Sequence, residues 1–335
     1  MLYNTHGLGM QEIKKLFESF EVAYIDQPYD TFINLQTIEI DFKYFEQYKN
    51  QLVVINFSSE NHLKFETHVY DQLSKTDINF LLLTYDYTQH LTRPRMLYFP
   101  YWSQWSKEQF SFKENFNNID INEIKTYSLG CLNGNPRPHR IANYLKLRKR
   151  PYWNKTSVSF FNNASNDSTS RGDDLKLSIS EVSAWSNIRS SLPAKFIGND
   201  QSINLPQLTD SYLHLVTETT VSKHSIFITE KTWKAIASRV PFVMWGNPGT
   251  MNFLKQQGVD IYDDVIDHKY YDTENSARVR LDKLHIVIDD LMAQGIDKIY
   301  NQLSDRVVSN QTKFFNAEFG QIYLQTLVDT IKQYK

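Results

Sequence analysis

The segment TETTVSKHSIFITEKTWKAIASRVPFVMWGNPGT, residues 217–250, decides how the fold is read. It begins where an apolar run, SYLHLV (211–216), ends, and that run reads as a buried strand. A polar loop follows. Residues 229–238 then carry the spacing of a helix, and PFVMW (241–245) reads as the next strand. GNPGT turns into a further helix over 251–258. Strand, helix, strand and helix in this order predict an α/β domain with a mostly parallel sheet.

The same alternation extends in both directions. Upstream, TYSLGCL from residue 126 is a strand that runs through NGNPRPHR into a helix ending near residue 149. TSVSFF (156–161) is another strand, and NNASNDSTSRGDD (162–174) is a surface loop of turn-formers and charges. Earlier strands are expected at 51–57 (QLVVINF), 79–84 (NFLLLT) and 95–100 (RMLYFP), with a helix over 63–73. The polar stretch 106–124 is the candidate linker. Downstream, Leu281, Leu284, Ile288 and Leu291 fall at helical spacing in a helical last fifty residues. The expected organisation is therefore an α/β domain over 1–124, a second over 125–318, and a final helix over 319–335 with room to cross back onto the first.

Bulk properties narrow the function classes. A chain of 335 residues favours two domains over one core. With 41% hydrophobic and 22% charged residues it is an ordinary globular protein. The 36 basic and 38 acidic side chains give a net charge of -2, so no global basic field exists for gripping nucleic acid. Cys131 is a single cysteine, which fits a reducing compartment. The first twenty residues read as an amphipathic helix rather than a signal peptide, and no run of eighteen apolar residues occurs. The expectation is a cytoplasmic protein, of a bacterium or of a phage-infected host, without a membrane anchor.

No GxxxxGK[ST] loop, strand-linked GxGxxG, HExxH, CxxC pair, GxSxG or DxD is present. What the second half offers instead is cations at strand ends. Thr229 is placed as a helix N-cap with Glu230 in the first turn, and Lys231 beside them adds positive charge at the positive end of the dipole. That combination suits an anion such as a diphosphate. The competing reading is a capped, solvent-facing helix start. In the second cluster a strand leads through Asn133, Gly134 and Asn135 to a helix opening with Arg137, His139 and Arg140. Arg140 has the geometry to clamp a phosphate, whereas Arg137 reads as solvated. Ligands in open α/β sheets sit beyond the carboxyl ends of strands, where both clusters fall.

These residues resemble the α-1,3-fucosyltransferases. That family's signature runs Glu-Asn-Ser, a short loop, Tyr-Val-Thr-Glu-Lys, an Ala-containing helix, a Pro-containing strand and a Gly-x-Pro turn. The matching text here is ETT (218–220), FITEK (227–231), Ala235, VPFVMWG (240–246) and NPG (247–249). The likeness covers about residues 126–267. It implies a GT-B fold, two Rossmann-like domains facing a cleft, and an inverting transferase that needs no metal or other cofactor beyond its nucleotide-sugar co-substrate, GDP- or UDP-linked. It further implies that Arg140 and Lys231 hold the diphosphate and that Glu230 contacts the ribose or donor sugar. Asn135, Glu218, Thr219, Phe227 and Thr229 fall in the same donor-binding segments. Two positions depart from the pattern: Thr219 replaces the Asn, and Phe227 replaces the Tyr and lacks its hydroxyl.

Inverting transfer needs a base to take the acceptor's proton. The resemblance places it on Glu60 in INFSSENHLKF, where the competing reading is an acid at the start of the following helix; His62 is the neighbouring alternative, and otherwise reads as a surface or core histidine. Asp86 either shapes the acceptor side or ends its strand. Tyr98, Tyr101, Trp102 and Trp105 read as core packing before a stacking platform. The run KLRKR (146–150) reads as a solvated helix end, with contact to an acidic acceptor as its alternative. The acceptor is expected to be a carbohydrate, or a hydroxylated base in DNA as in phage DNA modification. The other class of function is a nucleotide-binding or regulatory protein that kept the fold and lost catalysis.

Overall fold

The computed structural model describes residues 17–26, 33–34, 39–58, 63–86, 91–111, 116, 118–160, 175–189, 208–222, 225–316, 318–319 and 321–334. The chain forms two compact units: Met1–Phe112 together with Ala317–Lys335, and Lys113–Asn316.

In the first unit, β1 (Ala23–Asp26), β4 (Val53–Asn56), β5 (Phe80–Thr84) and β6 (Met96–Tyr98) form a parallel sheet in the order β1-β4-β5-β6. A two-stranded antiparallel pair, β2 (Ile33–Asn34) with β3 (Glu39–Ile40), lies between the first two in sequence. The strands β4 and β5 are buried along their whole length, which explains why their sequences are apolar runs rather than alternations. Successive side chains still point to opposite faces. Tyr24, Val54, Leu81, Leu83 and Leu97 share one core with Leu327 and Ile331. Ile25, Val53, Ile55, Leu82 and Met96 share the other with Val69 and Leu73. Those covering residues come from α1 (Leu63–Leu73) on one face and from the C-terminal helix Gln321–Tyr334 on the other. The helix α2 (Tyr101–Ser111) follows β6 and occupies the start of the stretch expected as a linker. Its Tyr101 and Phe110 are buried, and that amphipathic contact outweighs the polar composition downstream. Tyr98 packs edge-on against Tyr323, so the aromatic cluster is core at these positions. The side chain of Trp105 and residues 1–16 lie outside the described residues.

The second unit carries β7 (Tyr127–Leu132), β8 (Thr156–Ser159), β9 (Ser211–Thr217) and β10 (Phe242–Trp245), all parallel, in the order β10-β9-β7-β8. Its helices are α3 (Pro138–Leu147), α4 (Ile179–Arg189), α5 (Glu230–Ala237), α6 (Thr250–Gln256) and α7 (Lys269–Asp272), then α8 (Ala277–Gln294), α9 (Ile296–Gln302) and α10 (Ser304–Phe315). With the C-terminal helix as α11, each element expected from 126 onward is present within a few residues. The 162–174 loop lies outside the described residues. Gly130 of β7 pairs with His214 of β9, and a Cβ there would stand 2.6 Å from the Ser211 hydroxyl and 3.1 Å from the His214 ring, so a side chain at this position would have to displace both. No helix among the described residues is long and apolar enough to cross a membrane.

Of the buried histidines of this unit, His214, His268 and His285 are held neutral. Burial pulls His214 and His268 down to about 4 and His285 to about 3. The unfolded chain binds these protons near pH 6.5. Their contribution to stability is therefore complete above that pH and shrinks as pH falls toward their folded values. Asp272, raised by burial to about 6, and Glu66, raised by burial well above the carboxylate range, act in the opposite sense. The histidine effect acts on three groups and the carboxyl effect on two, so stability should fall as pH drops from 7 toward 5. Urea titrations at pH 7, 6 and 5 check this, and a flat or rising stability toward pH 5 would refute it.

Candidate functional site

The sheet of the second unit reverses its winding at β7: β8 lies on one side, β9 and β10 on the other. The loops leaving β7 and β9 at their carboxyl ends diverge from this point, which is where open α/β sheets form a binding crevice. Both clusters singled out by sequence stand here.

After β7 the chain passes Asn133 and Asn135 to Arg137, the N-cap of α3. Pro138 opens the helix, as suits a residue with a fixed φ and no N–H, and no side chain caps it. The loop after β9 is bound to this one by side chains. The Thr217 hydroxyl donates to Asn133 Oδ1 (2.5 Å), and Arg137 Nη1 donates to the Thr219 carbonyl (2.5 Å). His139 Nε2 lies 2.9 Å from the Glu218 carbonyl, and Arg140 donates to the carbonyls of Asn135 (3.0 Å) and Glu218 (3.5 Å). Arg137, expected to be solvated, is instead half-buried and engaged: a crossing loop supplies carbonyl oxygen that a helix-start reading cannot foresee. Arg140 is 2% exposed, so its charge sits within the crossing of the loops.

Glu218 is fully buried. Its carboxylate accepts from the Thr229 N–H (3.0 Å), the Thr229 hydroxyl (2.6 Å), the Thr232 hydroxyl (2.7 Å) and the Thr219 N–H (3.2 Å). It staples the end of β9 to the start of α5. This corrects the assignment of Thr229 as a capping side chain. Thr229 does stand at the N-cap, yet its hydroxyl gives its proton to Glu218 and caps no helical N–H.

Lys231 Nζ is held by Glu230 (2.7 Å), by the Thr229 hydroxyl (3.2 Å) and by the Thr219 hydroxyl (3.4 Å). Burial alone would raise the Glu230 carboxyl, but Lys231 and Lys234 outweigh it and keep the group below the ordinary carboxylate range. A charged Glu230–Lys231 pair therefore stands at the mouth of the helix. The Phe227 ring is 2% exposed and its N–H donates to Asn247 Oδ1 (2.9 Å), which makes this residue part of the wall behind the site.

Several residues that build the site were given no role by sequence. Asn247 binds the Ser222 carbonyl through Nδ2 (2.7 Å), tying the loop after β9 to the NPG turn. Arg280, 1% exposed on α8, donates to the carbonyls of Val221 (2.6 Å), Gly246 (3.2 Å) and Glu274. A sequence signal existed: Arg280 is a lone cation on the helix face that carries Leu284 and Ile288. Asp272 caps α6 from a distance, accepting from Met251 N–H (3.1 Å) and Asn252 N–H (3.2 Å).

In the first unit, Glu60 and His62 lie outside the described residues. Asp86 is buried at the end of β5, with its N–H on the Thr84 hydroxyl (3.0 Å). Sequence reading missed Glu66 of α1, which is fully buried and accepts from that hydroxyl at 2.5 Å. It shares the helix face of Val69 and Leu73.

The chain matches no family model and no curated protein. Among solved structures it is similar to a crystal structure of an α1,3-fucosyltransferase. That match has 14% identity, covers 84% of this chain and 76% of that chain, and gives a TM-score of 0.37.

Proposed function

We propose that this protein is an inverting, metal-independent glycosyltransferase that moves a sugar from a nucleotide diphosphate-sugar to a hydroxyl acceptor. The observation that carries the reading is the gathering of Arg137, Arg140 and Lys231 around the crossing of two strand-end loops at a topological switch point. Such a crevice, with the starts of α3 and α5 left without side-chain caps, is chemically matched to a diphosphate. The resemblance of ETT, FITEK and NPG to the fucosyltransferase signature points the same way.

In the proposed reaction the acceptor hydroxyl oxygen bonds to the anomeric carbon as the bond from that carbon to the phosphate oxygen breaks. The electron pair leaves with the nucleoside diphosphate, whose charge Arg140 and Lys231 offset, and the hydroxyl proton passes to a carboxylate base. The Glu230–Lys231 pair has to open as the phosphate takes the ammonium. The acceptor is a carbohydrate or a hydroxylated base in DNA.

The donor half of the proposal is tested by thermal shift with GDP, UDP, CDP and ADP and their sugars, with and without EDTA. One nucleotide at about a hundredfold over its dissociation constant should raise the melting temperature by about 3–5 °C. The shift should persist in EDTA and vanish in Lys231→Ala. No shift with any nucleotide would remove the donor site.

Glu60 is the proposed base. Glu60→Gln should lower turnover by about a hundredfold or more while leaving the nucleotide-induced thermal shift unchanged. Turnover equal to wild type would assign the base elsewhere.

A further inference from the structure

A trough of about 780 Å³ lies among α3, α4 and α8, entirely within the second unit, and the proposed reaction makes no use of it. Its apolar lining comes from Ala142 and Leu145 of α3, Ala184 and Ile188 of α4, and Leu281 of α8. Ala184 is half-buried, so a longer side chain there would extend into the trough.

The polar lining is biased in sign. Lys146 comes from the last turn of α3, Arg148, Lys149 and Arg150 from the residues that follow it, and Arg278 from the start of α8. Against these five bases stand two acids, Glu181 and Asp282. On a chain with a formal net charge of -2, this excess is local. Part of it is paired, through Lys146 with Asp282, Arg278 with Glu181 (2.5 Å) and Arg150 with Asp289 (2.7 Å). Arg148 and Lys149 are exposed, and Arg148 stands 6.0 Å over the Tyr144 ring. Neutralising the helix end accounts for Lys146, the base of its last turn. The bases that follow it exceed that need.

We propose that this trough docks an acidic, amphipathic polypeptide segment, with its apolar side chains on the alanine- and leucine-lined floor and its carboxylates toward the end of α3. A groove between helices with an apolar floor and a charged rim matches the way an amphipathic helix is bound. Charge complementarity selects an acidic one. The described lining residues include no aromatic ring on which bases would stack, and an apolar floor offers nothing to a phosphodiester backbone.

The test is fluorescence anisotropy of the full chain with a fluorescein-labelled peptide of roughly 16 residues, leucines on one helical face and glutamates on the other. A labelled oligothymidylate of matched length serves as comparison. Saturable peptide binding is expected. It should weaken by about tenfold in Arg148→Glu/Lys149→Glu. Ala184→Phe, which fills the trough, should weaken it by about fivefold. Circular dichroism confirms that each variant is folded. Absence of peptide binding, equal binding by the folded variants, or tighter binding of the oligothymidylate overturns the proposal. So does self-association in sedimentation that the same substitutions abolish, because a second copy of the chain would then be the occupant.

Discussion

Glu218→Ala should destabilise the second unit by about 3–4 kcal/mol, the cost of leaving buried donors without their charged acceptor. The carboxylate binds four donors, two from backbone and two from hydroxyls, and all of them lie between the end of β9 and the first turn of α5. Removing it releases Thr229 and Thr232, and with them the backbone that places Lys231. Nucleotide-induced stabilisation should therefore be lost along with the stability. Glu218→Gln keeps one acceptor oxygen but turns an amide N–H toward donors, so an intermediate loss is expected. Urea denaturation of both variants measures the effect. A loss below about 1 kcal/mol for the alanine variant would show that water replaces the carboxylate and that the staple is dispensable.

Arg280→Met should be of similar size, about 3–5 kcal/mol. The substitution keeps much of the buried volume but strips partners from the carbonyls of Val221, Gly246 and Glu274. Three segments then lose a common anchor: the loop after β9, the end of β10 and the approach to α8. The variant also removes the positive charge that lowers Asp272, whose carboxyl already stands near pH 6 through burial. Its titration should move higher still, weakening the cap on α6 at neutral pH. Chemical denaturation at pH 7.5 gives the first effect and its pH dependence the second. Wild-type stability in Arg280→Met would mean that the three segments are held by packing alone.

The parts of the fold that were legible in sequence share a physical cause. The strands β4, β5 and β10 are buried along their length and mostly apolar, and β7 and β9 carry apolar residues enough among their polar ones for each to announce itself as a run. The strand β1, AYID, is four residues long and ends in an acid, too short and too mixed to stand out. Helix α4 escaped notice because Ile179 and Val182 face solvent while Trp185 faces the core, which breaks the 3.6-residue stripe. At the site the cations were legible because Arg, His and Lys beside turn residues are conspicuous. Their partners were not. Glu218 reads as a ligand contact until the threonines that occupy its oxygens are placed eleven and fourteen positions further on. Asn247 and Arg280 reach carbonyls 25 and 59 residues away, and no local pattern encodes such distances.

The placement of α11 has a consequence for synthesis. Leu327 and Ile331 lie in one core with Phe17, Val54, Leu81 and Leu83, so a sheet made early in this sequence waits for a helix made late in it. The middle unit, continuous in sequence, holds all of its own strands long before that point. A ribosome would therefore carry a finished second unit while the N-terminal sheet still shows one bare apolar face. Such a face is what chaperones bind and aggregates grow from. How long that face stays bare depends on how quickly residues 321–334 follow the rest of the chain out of the exit tunnel, a matter of translation speed rather than of the stability of the product.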